Sequence, residues 1–200
     1  MPSQKDSCDT CLNTKELTTL YDIASIISNH YNLETSLEKS IKVLKDRLQL
    51  ENCIVHILKE DILEVFASVE LSKIQKKLAC YKLGEGVTGM AAQTQEPVVV
   101  ENVHNDTLFL NKSGKREVHN QSYVAVPLVI DNQTIGVLGA SLTKTTEIGF
   151  DDTVRILTIV SSIFAQTIYS FLLNQKEKER LQELKLYYKM EWDSKVHNFG

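Results

Sequence analysis

From Thr14 onward the apolar positions step by three and four. Leu17, Leu20, Ala24, Ile27 and Tyr31 form a one-sided seam, widened by Tyr21, Ile23 and Ile26, the spacing of an amphipathic helix. Asn32 and the Thr35-x-x-Glu38 pair supply capping chemistry for a second helix, which carries Leu33, Leu37, Ile41, Leu44 and Leu48 on one face. A helix apolar on more than one side, as the first is, suits either one wide core face or a core on one side and a partner chain on the other. The period then drops to two. Cys53–Leu58 and Ile62–Ala67 flank the polar turn Lys59-Glu60-Asp61, which predicts an antiparallel hairpin. Leu71–Lys76 reads as a polar connector and Leu78–Leu83 as a third strand. A short helix over Val87–Gln95 is stopped by Glu96-Pro97, and Val98–Val100 is a short strand. After a long polar stretch from His104 to Gln121, two more strands, Ser122–Ile130 and Thr134–Leu142, are joined by Asp131-Asn132-Gln133. Phe150-Asp151-Asp152 opens a last helix, with acidic residues suited to its dipole. That helix is apolar nearly all round to Leu173. It then turns polar at Lys176–Arg180 and continues as a sparse seam of Leu181, Leu184 and Tyr188, the pattern of a rod that needs a partner, such as a parallel coiled coil. The order of elements predicts an α+β fold with an antiparallel sheet of about five to six strands and helices on both sides.

Composition narrows this picture. Two hundred residues with 42% hydrophobic content supply the core of one domain with long appendages. A net charge of −4 argues against direct nucleic-acid binding, which calls for a basic face. The run from Met1 to Asn13 is polar, without a signal-peptide core, and no apolar run is read as membrane-spanning, so the expectation is a cytoplasmic protein with no membrane contact. The expected division is a disordered tail over 1–13, one folded domain over 14–174 and a helical linker over 175–200. Cys8 and Cys11 form a C-x-x-C pair with no second pair to complete a zinc site. Cys53 and Cys80 lie in apolar strand patterns.

Gly84-Glu85-Gly86-Val87-Thr88-Gly89 spells G-x-G-x-x-G, the dinucleotide fingerprint. Its mechanism requires a parallel strand–helix–strand unit with a full crossover helix. Here the following helix has about nine residues, short for a crossover, and hairpins flank it. Gly84 and Gly86 are therefore read as turn glycines and Gly89 as a site of close packing against the sheet.

With these residues in hand, the chain resembles a GAF domain. The resemblance rests on the glycine stretch and its helix, on Glu96-Pro97-Val98-Val99-Val100, on Ser122-Tyr123-Val124-Ala125-Val126-Pro127-Leu128 and on Ile135-Gly136-Val137-Leu138, and it covers roughly Leu17 to Leu173. Leu108-Phe109-Leu110-Asn111 followed by Ser122–Pro127 is most similar to the N-terminal regulatory GAF domain of NifA-type sigma-54-dependent activators. The resemblance implies a non-catalytic transcription-regulatory sensor linked to nitrogen fixation. It implies a homodimer through the first and last helices, acting on its own AAA+ ATPase domain through the terminal helix, with a regulatory protein as a further partner. The chain contains no G-x-x-x-x-G-K-[ST] phosphate loop.

GAF domains hold ligands between the sheet and its covering layer, here His104–Gln121. The resemblance implies binding residues Phe109, Asn111, Lys112, Arg116, His119, Ser122 and Tyr123, with Val126 as floor. The basic members suit 2-oxoglutarate or another small anion as effector. Cyclic-nucleotide-binding relatives carry Asn-Lys after the last strand, where this chain has Thr143-Lys144. No metal is expected; His104, Asp106, Glu117 and His119 are the nearest approach to a ligand cluster. The competing readings are a small redox enzyme, methionine-sulfoxide-reductase-like and resting on Cys80, and a ligand-free interaction module.

Overall fold

The predicted hairpins become the centre of the sheet. The computed structural model describes residues 4–29, 32–114, 121–143 and 150–197. Its elements are α1 (Gln4–Ser28), α2 (Leu33–Leu48), β1 (Leu50–Lys59), β2 (Ile62–Ser68), α3 (Lys73–Leu78), β3 (Tyr81–Lys82), α4 (Gly86–Thr94), β4 (Val98–Val100), β5 (Gln121–Ile130), β6 (Gln133–Thr143) and α5 (Phe150–His197). The six strands lie in the order β3-β2-β1-β6-β5-β4, and every neighbouring pair is antiparallel. β3 and β4, the strands on either side of α4 in sequence, therefore sit at opposite edges of the sheet. The chain crosses the whole sheet between them, and no parallel unit for a dinucleotide occurs among the described residues.

Register decides which side chains share a face. Asn52, Ile54 and His56 of β1 stand opposite Ser141, Gly139 and Val137 of β6, which stand opposite Tyr123, Ala125 and Pro127 of β5. Successive side chains alternate between faces, so this set forms one surface, called here the pocket face. The other face carries Cys53, Val55, Val124, Val126, Leu138 and Ala140, all buried. α4 covers the pocket face, where Val87, Ala91 and Ala92 cluster with Tyr123, Ala125 and Val137. α2 packs against β1 and β2, and α1 packs on α2.

Local sequence explains these helices. The Asn32 side chain accepts the Thr35 amide at 2.9 Å and caps α2. Leu37, Ile41 and Leu44, at helical spacing, are fully buried, each contributing about 1.5–3 kcal/mol by burial. α3 was expected as connector and strand. A capping box between Ser72 and Gln75 nucleates it instead, leaving only Tyr81 and Lys82 as strand. Gly84 and Gly86 adopt positive φ of 76° and 63°, and a Cβ on Gly89 would run into the Lys82 carbonyl oxygen. The stretch thus folds α4 back onto β3, in agreement with the turn-and-packing reading.

Two boundaries differ from expectation. α1 begins at Gln4 rather than Thr14, because no breaker lies between them, so the backbone expected as a disordered tail is helical from there. Its seam is also split. Ile23 and Thr19 are buried, whereas Leu17 and Tyr21 are 68% and 73% exposed. The chain divides into two units, Met1–Gln166 and Thr167–Gly200, and α5 belongs to both. In the first unit it buries Ile156, Leu157, Val160 and Phe164, and Arg155 binds Glu16 of α1 at 3.0 Å. In the second, Leu173, Leu181, Leu184 and Tyr188 are exposed. By length and composition alone, α5 also contains a stretch apolar enough to cross a membrane, contrary to expectation. Its apolar half is continuous because it lies in the core on one side and stays apolar on the other.

Candidate functional site

Between the pocket face and the chain that covers it lies a cavity of about 540 Å³. Its floor is formed by Asn52, Ile54 and His56 of β1, Ser141 of β6 and Tyr123 of β5; Tyr81, Val87 and Thr88 wall one side, and Phe109, Leu110 and Asn111 close it. The volume falls within the range of small-molecule pockets, roughly 300–1,000 Å³.

The floor is aromatic and polar at once. Phe109 meets Tyr123 edge-to-face at 5.2 Å, and the Tyr123 and Thr88 hydroxyls lie 3.1 Å apart. Gly139, on the neighbouring strand, leaves the space the Tyr123 hydroxyl occupies; a Cβ there would collide with it. Burial pushes the Tyr123 phenol well above its ordinary range and the Tyr81 phenol up to about 12, so both are neutral donors. His56 is 1% exposed. Its Nε2 lies 3.2 Å from the Ala79 carbonyl oxygen, and a carbonyl only accepts, so Nε2 carries the proton and Nδ1 the lone pair. Burial pushes the imidazole down to about 4, with the Ala79 and Val137 carbonyls pulling the other way. Among the described residues, Nδ1 has no hydrogen-bond partner, nor has Oδ1 of Asn52.

The covering loop is fastened by its own chemistry. Asp106 Oδ1 accepts the amides of Leu108 and Phe109 at 2.7 and 3.2 Å, a local turn that aims Phe109 inward. The Tyr81 hydroxyl donates to the Leu110 carbonyl at 3.0 Å. Lys112 Nζ donates to Glu85 Oε1 at 2.6 Å and to the Cys80 carbonyl at 2.9 Å, and it sits 5.1 Å from the Tyr81 ring centroid. The Lys112 ammonium, followed by the Lys82 amide, holds the Glu85 carboxyl below its ordinary range. Lys112 therefore fastens the loop and does not line the cavity.

Of the residues expected to bind, Phe109, Asn111 and Tyr123 line the cavity. Lys112 is a correction, its charge being met by Glu85. Ser122 and Val126 are corrections for one geometric reason: they alternate with Tyr123, so they lie on the opposite face. The Ser122 hydroxyl donates to the Glu101 carbonyl at 2.9 Å, and Val126 is buried. Arg116 and His119 lie outside the described residues, as does Glu117 of the weighed ligand cluster. Asp106 of that cluster is engaged by the loop turn, and no cluster of three or more metal-ligating side chains occurs among the described residues. Asn52, His56, Thr88 and Ser141 were missed. For Asn52, His56 and Ser141 the signal was a polar residue within an otherwise apolar strand, whereas Thr88 lies on α4, inside the glycine stretch. Neither described cysteine of the domain lines the cavity. Cys53 points to the other face, its thiol pushed up to about 12 by burial, and the Cys80 thiol contacts the Lys77 carbonyl at 3.4 Å.

A family model described as GAF domain matches residues 31–168 of this chain. The chain belongs to the GAF domain family. The GAF chain is 28% identical over 179 residues to the Nif-specific regulatory protein of Herbaspirillum seropedicae, covering 85% of this chain and 32% of that protein. It is 31% identical over 161 residues to the Nif-specific regulatory protein of Azospirillum lipoferum, covering 76% and 26%. It thus spans about a third or less of these curated relatives. Among solved structures, the GAF domain of A. aeolicus nlh2 in an inactive state superposes with a TM-score of 0.71 at 23% identity, over 79% of this chain and 98% of that one. Free methionine-R-sulfoxide reductase from Neisseria meningitidis, in complex with its substrate, superposes at 0.63 with 20% identity, over 84% and 92%. At these identities the superpositions establish the fold alone.

Proposed function

We propose that this GAF domain is the small-molecule-sensing regulatory domain of a NifA-like, sigma-54-dependent transcriptional activator, cytoplasmic and without catalytic activity of its own. The observation that carries the reading is the cavity over the pocket face, aromatic-walled with a few polar groups, in a chain similar to Nif-specific regulatory proteins. Occupancy of the cavity sets the loop fastened by Lys112 and Glu85. A ligand regulates only by favouring one arrangement of the domain over another. The exposed Leu17 and Tyr21 of α1, Ile159 in the first half of α5, and the Leu181–Leu184–Tyr188 seam support a homodimer through the first and last helices. In the full-length protein α5 leads on to an AAA+ ATPase domain. The redox-enzyme reading is not favoured, because Cys80 is not among the residues lining the cavity and its thiol contacts the Lys77 carbonyl.

Native mass spectrometry of the protein purified from cells tests the sensing role. The expected result is a near-stoichiometric adduct of one small organic molecule, lost on unfolding. A bare chain under all expression conditions, nitrogen-replete and nitrogen-starved, leaves an interaction module in place of a sensor.

A further inference from the structure

We propose that the cavity selects an amphipathic organic cation, an ammonium group on an aromatic or apolar body, over its neutral and anionic counterparts. The inference rests on the sensing reading above and specifies the class of molecule sensed. The side chains lining the cavity include two carboxylates, Glu51 and Glu70, against one ammonium, Lys45. Lys45 is ion-paired with Glu70. Glu51 is exposed, with no hydrogen-bond or ion-pair partner among the described residues. Its place in the lining follows from a break in β1. Leu50 stands opposite Leu142 and Asn52 opposite Ser141, so Glu51 is the extra residue of a bulge. The strict alternation that would set it on the other face from Asn52 is broken there.

The aromatic lining suits the same class. Tyr81, Phe109 and Tyr123 line the cavity; both tyrosines keep 8% of their surface exposed and Phe109 is only partly buried, so each retains accessible surface. The face of an aromatic ring attracts a cation, and Tyr81 already has one beside it, Lys112 Nζ at 5.1 Å from the ring centroid. The charge of Lys112 is met by Glu85, and burial holds His56 neutral at physiological pH. Among the described residues, the lining offers an anion only an ammonium already paired with a carboxylate. It offers a cation an unmatched carboxylate and aromatic rings. This is the reverse of the anion suggested by the basic residues of 104–121 along the sequence.

2-Phenylethylamine, 2-phenylethanol and 3-phenylpropanoate are close in shape and carry a positive, a zero and a negative charge at neutral pH. Each is titrated into the full wild-type chain by calorimetry at low and at high salt. The expected result is the amine binding at least about fivefold tighter than the alcohol, the carboxylate binding weakest, and the amine's advantage shrinking as salt rises. E51Q, checked for folding by circular dichroism, should lose most of that advantage. The alcohol or the carboxylate binding as tightly as the amine, or an E51Q chain that keeps the full preference, overturns the cation assignment and leaves the sensing role standing. A neutral or anionic molecule identified as the adduct in native mass spectrometry does the same. Failure of all three probes to bind also overturns the cation assignment, and together with a bare chain in native mass spectrometry it overturns the sensing role as well.

Discussion

At the scale of single residues, the site depends on groups that a sequence scan for charge passes over. His56 stands among five apolar neighbours in Cys53–Leu58 and reads there as an interruption of a strand. In the fold it is the buried hinge of the polar floor, and its burial has a consequence for stability. Its pKa falls from the ordinary 6.5 to about 4. Above pH 6.5 both folded and unfolded chains hold it neutral, and it contributes no pH dependence. Between 6.5 and 4 the unfolded chain takes up a proton that the folded one refuses, so stability falls as pH falls. At 1.36 kcal/mol per unit, the loss from pH 6.5 to 5 is roughly 2 kcal/mol. Urea titrations of wild type and H56L across that range should show the wild-type midpoint dropping and the variant's drop smaller by about that amount; parallel curves would contradict the assignment. Lys112 teaches the converse. It has the residue type of an anion ligand, yet Glu85 lies 2.6 Å from it, and this pairing across a loop is invisible to sequence spacing.

At the scale of elements, most of what the periodicities predicted is present. α2 has the predicted bounds and buried face, and both hairpins form. α4 lies within one residue of its expected start. The element least legible was the covering loop, because nothing periodic organises it. It is held by side-chain bonds to other elements: Tyr81 to Leu110, Lys112 to Glu85 and to the Cys80 carbonyl. Glu85 holds both ends of this fastening, since its Oε2 also accepts the Lys82 amide at 2.8 Å. Charge-assisted bonds of this kind contribute about 1.5–3 kcal/mol. Glu85→Ala should therefore speed hydrogen exchange at the Lys82 amide by about tenfold or more and raise exchange across 108–112, with little change in the β5–β6 amides. Unchanged exchange in the loop would mean that the ion pair does not close the cavity.

At the scale of the whole molecule, the two halves of α5 answer to different demands. Up to Gln166 it completes the domain core, with Phe164 and Ala165 fully buried, so truncating there would unfold the domain and say nothing about assembly. Beyond Thr167 its leucines are exposed, and the proposed dimer should be tested on them. L181D/L184D removes four leucines from a dimeric seam. At about 1.5–3 kcal/mol each when buried, their loss should weaken the dimer by roughly three orders of magnitude or more. Sedimentation should then report monomers with native circular dichroism; a persistent dimer would place the interface elsewhere, with Leu17 and Tyr21 of α1 the next residues to change.

The sequence by itself determined α1, α2, α4 and α5, the hairpins, the role of the glycine turn and the family resemblance, because each follows from local spacing and backbone preference, whereas α3 was read as connector and strand. Tertiary structure alone decided which face of β5 meets the cavity, and so why Tyr123 lines it while Ser122 and Val126 do not. It also decided that Lys112 is neutralised and that His56 is buried with its Nε2 against the Ala79 carbonyl. Those outcomes depend on register and on partners 20 or more positions distant, such as Ala79 for His56 and Glu85 for Lys112, and side-chain chemistry read along the chain carries no record of them.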